Sequence, residues 1–333
     1  MSASSPPGKV LLIKPSAFGD VVQALPVAAS LKQAWPGVTL HWVLNEHFRE
    51  LLADNRHIDR LVLYPRQRWR FPSSLPSCVE WGRALRAENY DLVIDLQGLL
   101  RSGLMTHATH APRRLGLASA REGARFFYNE VARDEATAAF ERYLSVLHYL
   151  EIVPEAADFG FPTKLVYKQP KISLPYIALH PYSRWRTKLW PYRYYQELVA
   201  AMPQVRFAVV GRGPWFPLAG PNVHDLRNRQ SLTELKATLA HAAALLSTDS
   251  GPAHLGAAMG TPTHVLFGAT DWRRTKPVGP KVSIQTNDVF CSPCLKRTCR
   301  RDQPMECMRG LLPRMVAKRL LPLVQEAETA PEN

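Results

Sequence analysis

Residues Lys9 to Asp20 read KVLLIKPSAFGD, and the run VVQALPVAASLKQAW follows them directly. A short, almost unbroken apolar run, a turn containing Gly19 and then a helical pattern describe a strand buried on both faces that feeds a helix. The alternation recurs in VTLHWVL, a helix near Glu46, RLVLY, another helix and DLVID, which predicts a parallel, doubly wound βα domain. A Pro-punctuated stretch from Val153 to Pro175 breaks the rhythm, and the linker is placed there. Beyond it come YIALH, a helix from Pro191, VRFAVV, a helix opening at Ser231 with Glu234 as its capping-box partner, ALLS, a short helix after Gly251, and THVLF. LPRMVAKRLLPLVQEAE reads as a closing amphipathic helix despite Pro322. The expected fold class is α/β, with two Rossmann-like doubly wound domains, 1–165 and 166–333, meeting at a cleft. Ligands of such sheets sit outside the carboxyl ends of the strands, so the loops that follow strands carry the functional reading.

Composition narrows the function classes. A length of 333 residues suits two domains, and 46% apolar with 21% charged residues excludes wholesale disorder or a fibrous repeat. No run is apolar enough for a membrane span, and MSASSPPGKV lacks the apolar core of a signal peptide, so a cytoplasmic protein is expected. Four of the five cysteines crowd between Cys291 and Cys307, unlike a secreted disulfide framework, which fits a reducing compartment. With 42 Lys and Arg against 28 Asp and Glu the chain carries +14, a bias toward nucleic acid, an anionic membrane surface or an acidic substrate.

Three loops carry candidate chemistry. In KPSAFGD, Asp20 is either the N-cap of a capping box with Gln23 or a carboxylate placed to accept a proton, and the roles conflict because backbone N–H bonds lower a carboxylate's basicity. In LHPYSRWRTKLWP (Leu179 to Pro191), Tyr182, Ser183 and Lys188 converge where a helix N-terminus favours a diphosphate, although basic loop residues are more often simply solvated. In STDSGPAHLGAAMGTP (Ser247 to Pro262), Asp249, Ser250 and Gly251 precede free first-turn amides, and His254 either packs or helps to hold an anion.

Together with YDLVIDLQGLLRSG, SAREGARFFYN and the closing GATD, these blocks resemble glycosyltransferase family 9, the lipopolysaccharide heptosyltransferases, over nearly the whole length. Asp95-Leu96-Gln97-Gly98 and Ala120-Arg121-Glu122 with Phe127-Tyr128-Asn129 look most like the heptosyltransferase I branch, which adds the first heptose to the Kdo of the inner core. The resemblance implies a GT-B fold with the acceptor on the N-terminal domain, the nucleotide sugar on the C-terminal domain and a last helix that packs back on the first domain. It implies Asp20 as base and phosphate contacts from Ser183, Lys188 and the loop holding Asp249, Ser250, Gly251 and His254; the loop reading above adds Tyr182 to the donor candidates and sets Lys188 as the cationic counterpart of Asp20. Ser16, Gly19, Gln97, Arg101 and Arg121 are the acceptor candidates, with the Arg113–Arg114 pair as further cations.

The expected reaction is an inverting transfer of heptose from ADP-heptose to the Kdo of Kdo-lipid A, by an enzyme lying peripherally on the inner face of the cytoplasmic membrane. No Asp-x-Asp pair occurs, so no cofactor or catalytic metal is expected and turnover should survive a chelator. Cys291, Cys294, Cys299 and Cys307 could hold a structural zinc or remain packed thiols. Lys296, Arg297, Arg300 and Arg301 beside them could face a phosphate. The rival readings are heptosyltransferase II or another family 9 transferase, and a non-catalytic nucleotide-sugar-binding protein. No nucleic-acid module is recognised.

Overall fold

The computed structural model describes residues 5–66 and 75–329; residues 1–4, on which part of the signal-peptide reading falls, lie outside them. The chain divides into two compact units, Met1–Phe161 and Pro162–Asn333, each built on one six-stranded parallel sheet.

In the first unit the strands are β1 (Lys9–Ile13), β2 (Thr39–Asn45), β3 (Arg60–Tyr64), β4 (Leu92–Asp95), β5 (Arg113–Leu117) and β6 (Glu130–Ala132), in the order β3-β2-β1-β4-β5-β6. Its helices are α1 (Phe18–Ala34), α2 (Arg49–Leu52), α3 (Leu75–Ala87), α4 (Leu100–Ala108) and α5 (Ala139–Tyr149). β1 pairs with β2 on one side and β4 on the other, and Val10 to Ile13 are wholly buried, which is why that strand has no polar face. α1 is buried from Val21 to Leu31 and packs along α5, so the residues at its N-terminus ride on a fixed rod.

The sequence pattern ended at DLVID. It passed over β5 and β6, which are short and open on Arg113 and Glu130, and over α5. It also placed the start of α1 too late. The N-cap is Ala17, in an extended conformation, and Phe18 joins the helix by packing its ring against Phe48, 5.8 Å away.

The second unit repeats the plan with β7 (Tyr176–His180), β8 (Arg206–Val209), β9 (Val223–Asp225), β10 (Ala244–Thr248), β11 (Thr263–Phe267) and β12 (Val282–Thr286), in the order β12-β11-β10-β7-β8-β9. Its helices are α6 (Tyr192–Ala201), α7 (Leu232–His241), α8 (Gly251–Ala258), α9 (Trp272–Thr275), α10 (Glu306–Arg309) and α11 (Pro313–Thr329). The capping box at Ser231 and Glu234 forms as read. α11 continues through Pro322 and buries Val316, Leu320 and Val324 in its own unit's core, against α6. The expected return of this helix onto the first domain rests on the resemblance alone.

Strand order reverses at β1 in one sheet and at β7 in the other, so each unit has its ligand crevice where the loops after β1 and β4, or after β7 and β10, leave the sheet. Among the described residues no helix is long and apolar enough to cross a membrane.

Candidate active site

Asp20 is the third residue of α1. One carboxylate oxygen accepts the Ala17 N–H at 3.3 Å and the other accepts the Tyr143 hydroxyl of α5, also at 3.3 Å. Asp20 is therefore not the N-cap partner of Gln23, as the spacing alone suggested; it reaches back to the cap from inside the first turn. Both contacts are long, the residue is half-buried, and the carboxylate retains acceptor capacity for a substrate hydroxyl.

Lys14, buried at the end of β1, lies 4.7 Å over the Tyr143 ring. Burial pushes its ammonium below the usual lysine range, while the charges of Asp20 and Asp95 oppose that shift. The Tyr143 phenol is pushed well up by burial and by the neighbouring Asp20 charge, so it stays protonated and donates.

Asp95 ends β4 and is fully buried. One oxygen accepts the N–H groups of Gln97 and Gly98 at 2.8 and 3.1 Å, and the other accepts the Tyr128 hydroxyl at 2.5 Å. Burial raises its pKa, and these hydrogen bonds oppose the rise. The carboxylate thus shapes the turn that carries Gln97, whose side-chain carbonyl accepts the Ser16 N–H at 3.3 Å. Gly98 adopts φ +65°, which only this tight turn requires, and its carbonyl accepts the Arg121 N–H at 2.8 Å.

Ser16, Gly19, Gln97 and Arg121 are consequently gathered at the carboxyl edge of the first sheet. Arg101 is exposed on α4, its guanidinium 5.9 Å from the Tyr64 ring. The Arg113–Arg114 pair is not with them, because it opens β5 at the opposite edge of the sheet. Arg113 is paired with Glu130 through two 2.8 Å bonds, and Arg114 donates to the carbonyls of Ala111 and Phe127 at 2.6 and 3.1 Å.

In the second unit Lys188 and Asp249 form an ion pair at 2.7 Å. The same Asp249 oxygen accepts the Thr270 hydroxyl at 2.7 Å and the Thr275 hydroxyl at 3.4 Å, and the Asp249 carbonyl accepts the Ser183 hydroxyl at 3.3 Å. Lys188 also lies 4.8 Å over the Trp185 ring, and Arg297 approaches that ring at 5.4 Å, which gathers two cations around one indole. Ser250 is the N-cap of α8; its hydroxyl bonds Ser247 at 2.9 Å and Nδ1 of His180 at 3.1 Å. Burial holds His180 down to about 4, so the ring is neutral near pH 7. Gly251 and Pro252 open α8, and His254 is buried three residues after Gly251.

Tyr182 is held by packing: its hydroxyl donates to the Pro214 carbonyl at 3.1 Å, and its ring lies against Gly213, where a Cβ would fall 2.3 Å from it. The four cysteines are all free, and among the described residues no group of three or more His, Cys, Asp and Glu side chains could hold a metal ion. Cys307 is packed against Gly268 and its thiol is pushed up to about 11 by burial; Cys299 accepts the Met305 N–H at 3.4 Å.

Lys14, Tyr143, Asp95, His180 and Thr270 join the site without having been singled out by spacing. Lys14, Asp95, His180 and Thr270 stand inside quoted blocks without a role. Tyr143 had no signal, since it lies on a helix the pattern did not resolve.

Chemically, the first unit offers a lightly held carboxylate beside a buried ammonium, and the second offers cations and first-turn amides suited to a diphosphate. The Glycosyltransferase family 9 (heptosyltransferase) model matches residues 78–213 and 219–304. The chain is 33% identical to lipopolysaccharide heptosyltransferase 1 of Pseudomonas aeruginosa, across 96% of its own length and 99% of that protein's. It is 30% identical to lipopolysaccharide heptosyltransferase 1 of Salmonella typhimurium, across 79% of this chain and 89% of that one. Among solved structures, an E. coli heptosyltransferase with ADP superposes with a TM-score of 0.76 at 24% identity, covering 95% of this chain and 99% of that one. A family 9 glycosyl transferase from Veillonella parvula gives 0.78 at 19% identity, covering 96% and 97%. Both share the fold, a GT-B arrangement of two Rossmann-like units. The chain belongs to glycosyltransferase family 9, the heptosyltransferase family.

Proposed function

We propose that this glycosyltransferase moves heptose from ADP-heptose to the Kdo of Kdo-lipid A, with inversion at the anomeric carbon. The observation that carries the reading is the near full-length identity to a lipopolysaccharide heptosyltransferase 1, in a chain whose two units hold a base candidate and a diphosphate cradle after equivalent strands.

Asp20 takes the proton of the acceptor hydroxyl as that oxygen bonds to the anomeric carbon, while the bond from that carbon to the diphosphate oxygen breaks. The departing charge is met by Lys188, by the α8 amides beside Ser250, Gly251 and His254, and by Ser183. Lys188 shares its charge between Asp249 and the diphosphate, while the Thr270 and Thr275 hydroxyls continue to donate to the same Asp249 oxygen. Gln97, Ser16, Gly19, Arg101 and Arg121 receive the acidic acceptor. Peripheral contact with an anionic inner leaflet needs no anchor, since each Lys or Arg near such a surface contributes about 1 kcal/mol.

The test is to incubate the purified protein with ADP-heptose and other nucleotide sugars on Kdo-lipid A and to weigh the lipid product. Gain of one heptose from ADP-heptose alone is expected. Extension only of an acceptor that already carries a heptose, or no product from any donor, would refute the reading.

A further inference from the structure

The first turns of α4 and the segment from Arg121 to Phe127 form one continuous surface on the first unit. Besides the Arg121 bond to Gly98, the Leu100 N–H donates to the Glu122 carboxylate at 3.4 Å. Further along, Gly103 lies so close to this segment that a Cβ there would come within 2.7 Å of the Phe127 ring and 3.0 Å of Ala124. The His107 and Phe127 rings stand 5.7 Å apart. This seam seats Ala124 and leaves three large apolar side chains in solvent: Leu100 at 44%, Leu104 at 51% and Phe126 at 92% exposure.

Leu100 and Leu104 are one helical turn apart and share a face. Phe126 is not a loose tip. Its N–H donates to the Gly123 carbonyl at 3.1 Å in a short 3-10 turn, and Gly123 holds the left-handed φ of +78° that starts that turn. Arg101, Arg121 and Arg125 stand exposed among these apolar groups. The only acid of this segment, Glu122, already faces the Leu100 N–H. A phenylalanine this exposed on a hydrogen-bonded turn adds nothing to the core, and an apolar patch rimmed by charge marks an interaction surface.

We infer that this face of α4 and the Phe126 turn docks on an anionic lipid bilayer, with Phe126 and Leu104 entering the headgroup layer, Arg125 pairing with lipid phosphates, and Arg101 and Arg121 adding positive charge at the rim where they meet the acidic acceptor. Charge decides the partner: a second copy would bring the same arginines face to face, whereas an anionic bilayer complements them and offers the apolar groups a shallow interior. The inference rests on the reading above for its purpose, because a lipid-linked acceptor lies in such a surface.

The test uses the full chain and a triple variant, Leu104→Gln, Arg125→Gln and Phe126→Gln, none of which touches the proposed reaction. Flotation is measured with phosphatidylcholine vesicles with and without about one third phosphatidylglycerol, at two salt concentrations. The parent should bind the anionic vesicles, more weakly at high salt, and the variant should bind them about tenfold more weakly or less, with an unchanged melting curve. Equal binding by variant and parent, no binding by the parent, or a parent dimer that the variant dissolves would each overturn the inference. Transfer to a Kdo acceptor stripped of its acyl chains should be equal in both proteins. Absence of that transfer in the parent refutes the proposed reaction and leaves the vesicle result standing.

Discussion

Asp20 and Asp249 occupy related places, Asp20 in the first turn of the helix that follows β1 and Asp249 in the loop that leads from β10 into α8, yet they are held very differently. Asp20 has two contacts of 3.3 Å and is half-buried. Asp249 is buried, and one of its oxygens gathers an ammonium at 2.7 Å and a threonine hydroxyl at 2.7 Å, with a second threonine at 3.4 Å. Position on the fold therefore does not assign a carboxylate its task; its partners do. A carboxylate with no cation against it can accept a proton, and one paired with an ammonium holds that cation in place.

The sharpest way to break this contrast is Asp20→Asn. It should lower kcat by about 10²–10⁴-fold with little change in the KM for the nucleotide sugar, read by steady-state kinetics; a variant keeping half the rate would remove Asp20 from the chemistry. Lys188→Met should lower the rate by about 10²–10³-fold. Unlike the Asp20 change it should also cost about 3 kcal/mol of stability, because it strands the Asp249 charge. Adding Asp249→Asn should restore the melting point without restoring turnover.

Tyr143→Phe probes the weak hold on Asp20. Loss of one hydrogen bond to a charged group should slow turnover about tenfold. Turnover and melting curve both unchanged would make Tyr143 a packing residue only.

The smallest effect belongs to His180. Its folded pKa of about 4 lies below the ordinary 6.5, so between those values the unfolded chain binds a proton that the folded chain refuses. Stability should then fall on acidification through that window, by at most about 1.4 kcal/mol per pH unit. Urea melts of the parent and His180→Asn at pH 7 and pH 5 measure it, and equal slopes in the two proteins would exclude His180 as the cause.

What could be read from the sequence followed periodicity. KVLLI and THVLF each hold an unbroken apolar run, Val10 to Ile13 and Val265 to Phe267, and the doubly wound sheets were legible from such runs. β5 and β6 were not, because their arginine and glutamate ends hide strands of five and three residues. The loops that bear the site were found because they follow strands, and Lys188, Asp249 and Ser183 do stand together. The packing of Tyr182 was not legible, because a hydroxyl beside a serine says nothing about whether its ring faces solvent or glycine. Asp95 and Tyr143 escaped because their roles arise from contacts across 33 and 123 residues of chain.

Trp190 is wholly buried two residues after Lys188, and its indole N–H donates to the Leu311 carbonyl at 2.8 Å across 121 residues. The loop that carries Lys188 is thus bolted to the threshold of α11. During synthesis the first unit can fold as soon as it emerges, but the second stays unfinished until α11 has left the ribosome. A nascent or clipped chain without α11 would hold a finished first sheet and a Lys188 loop with nothing to lock against.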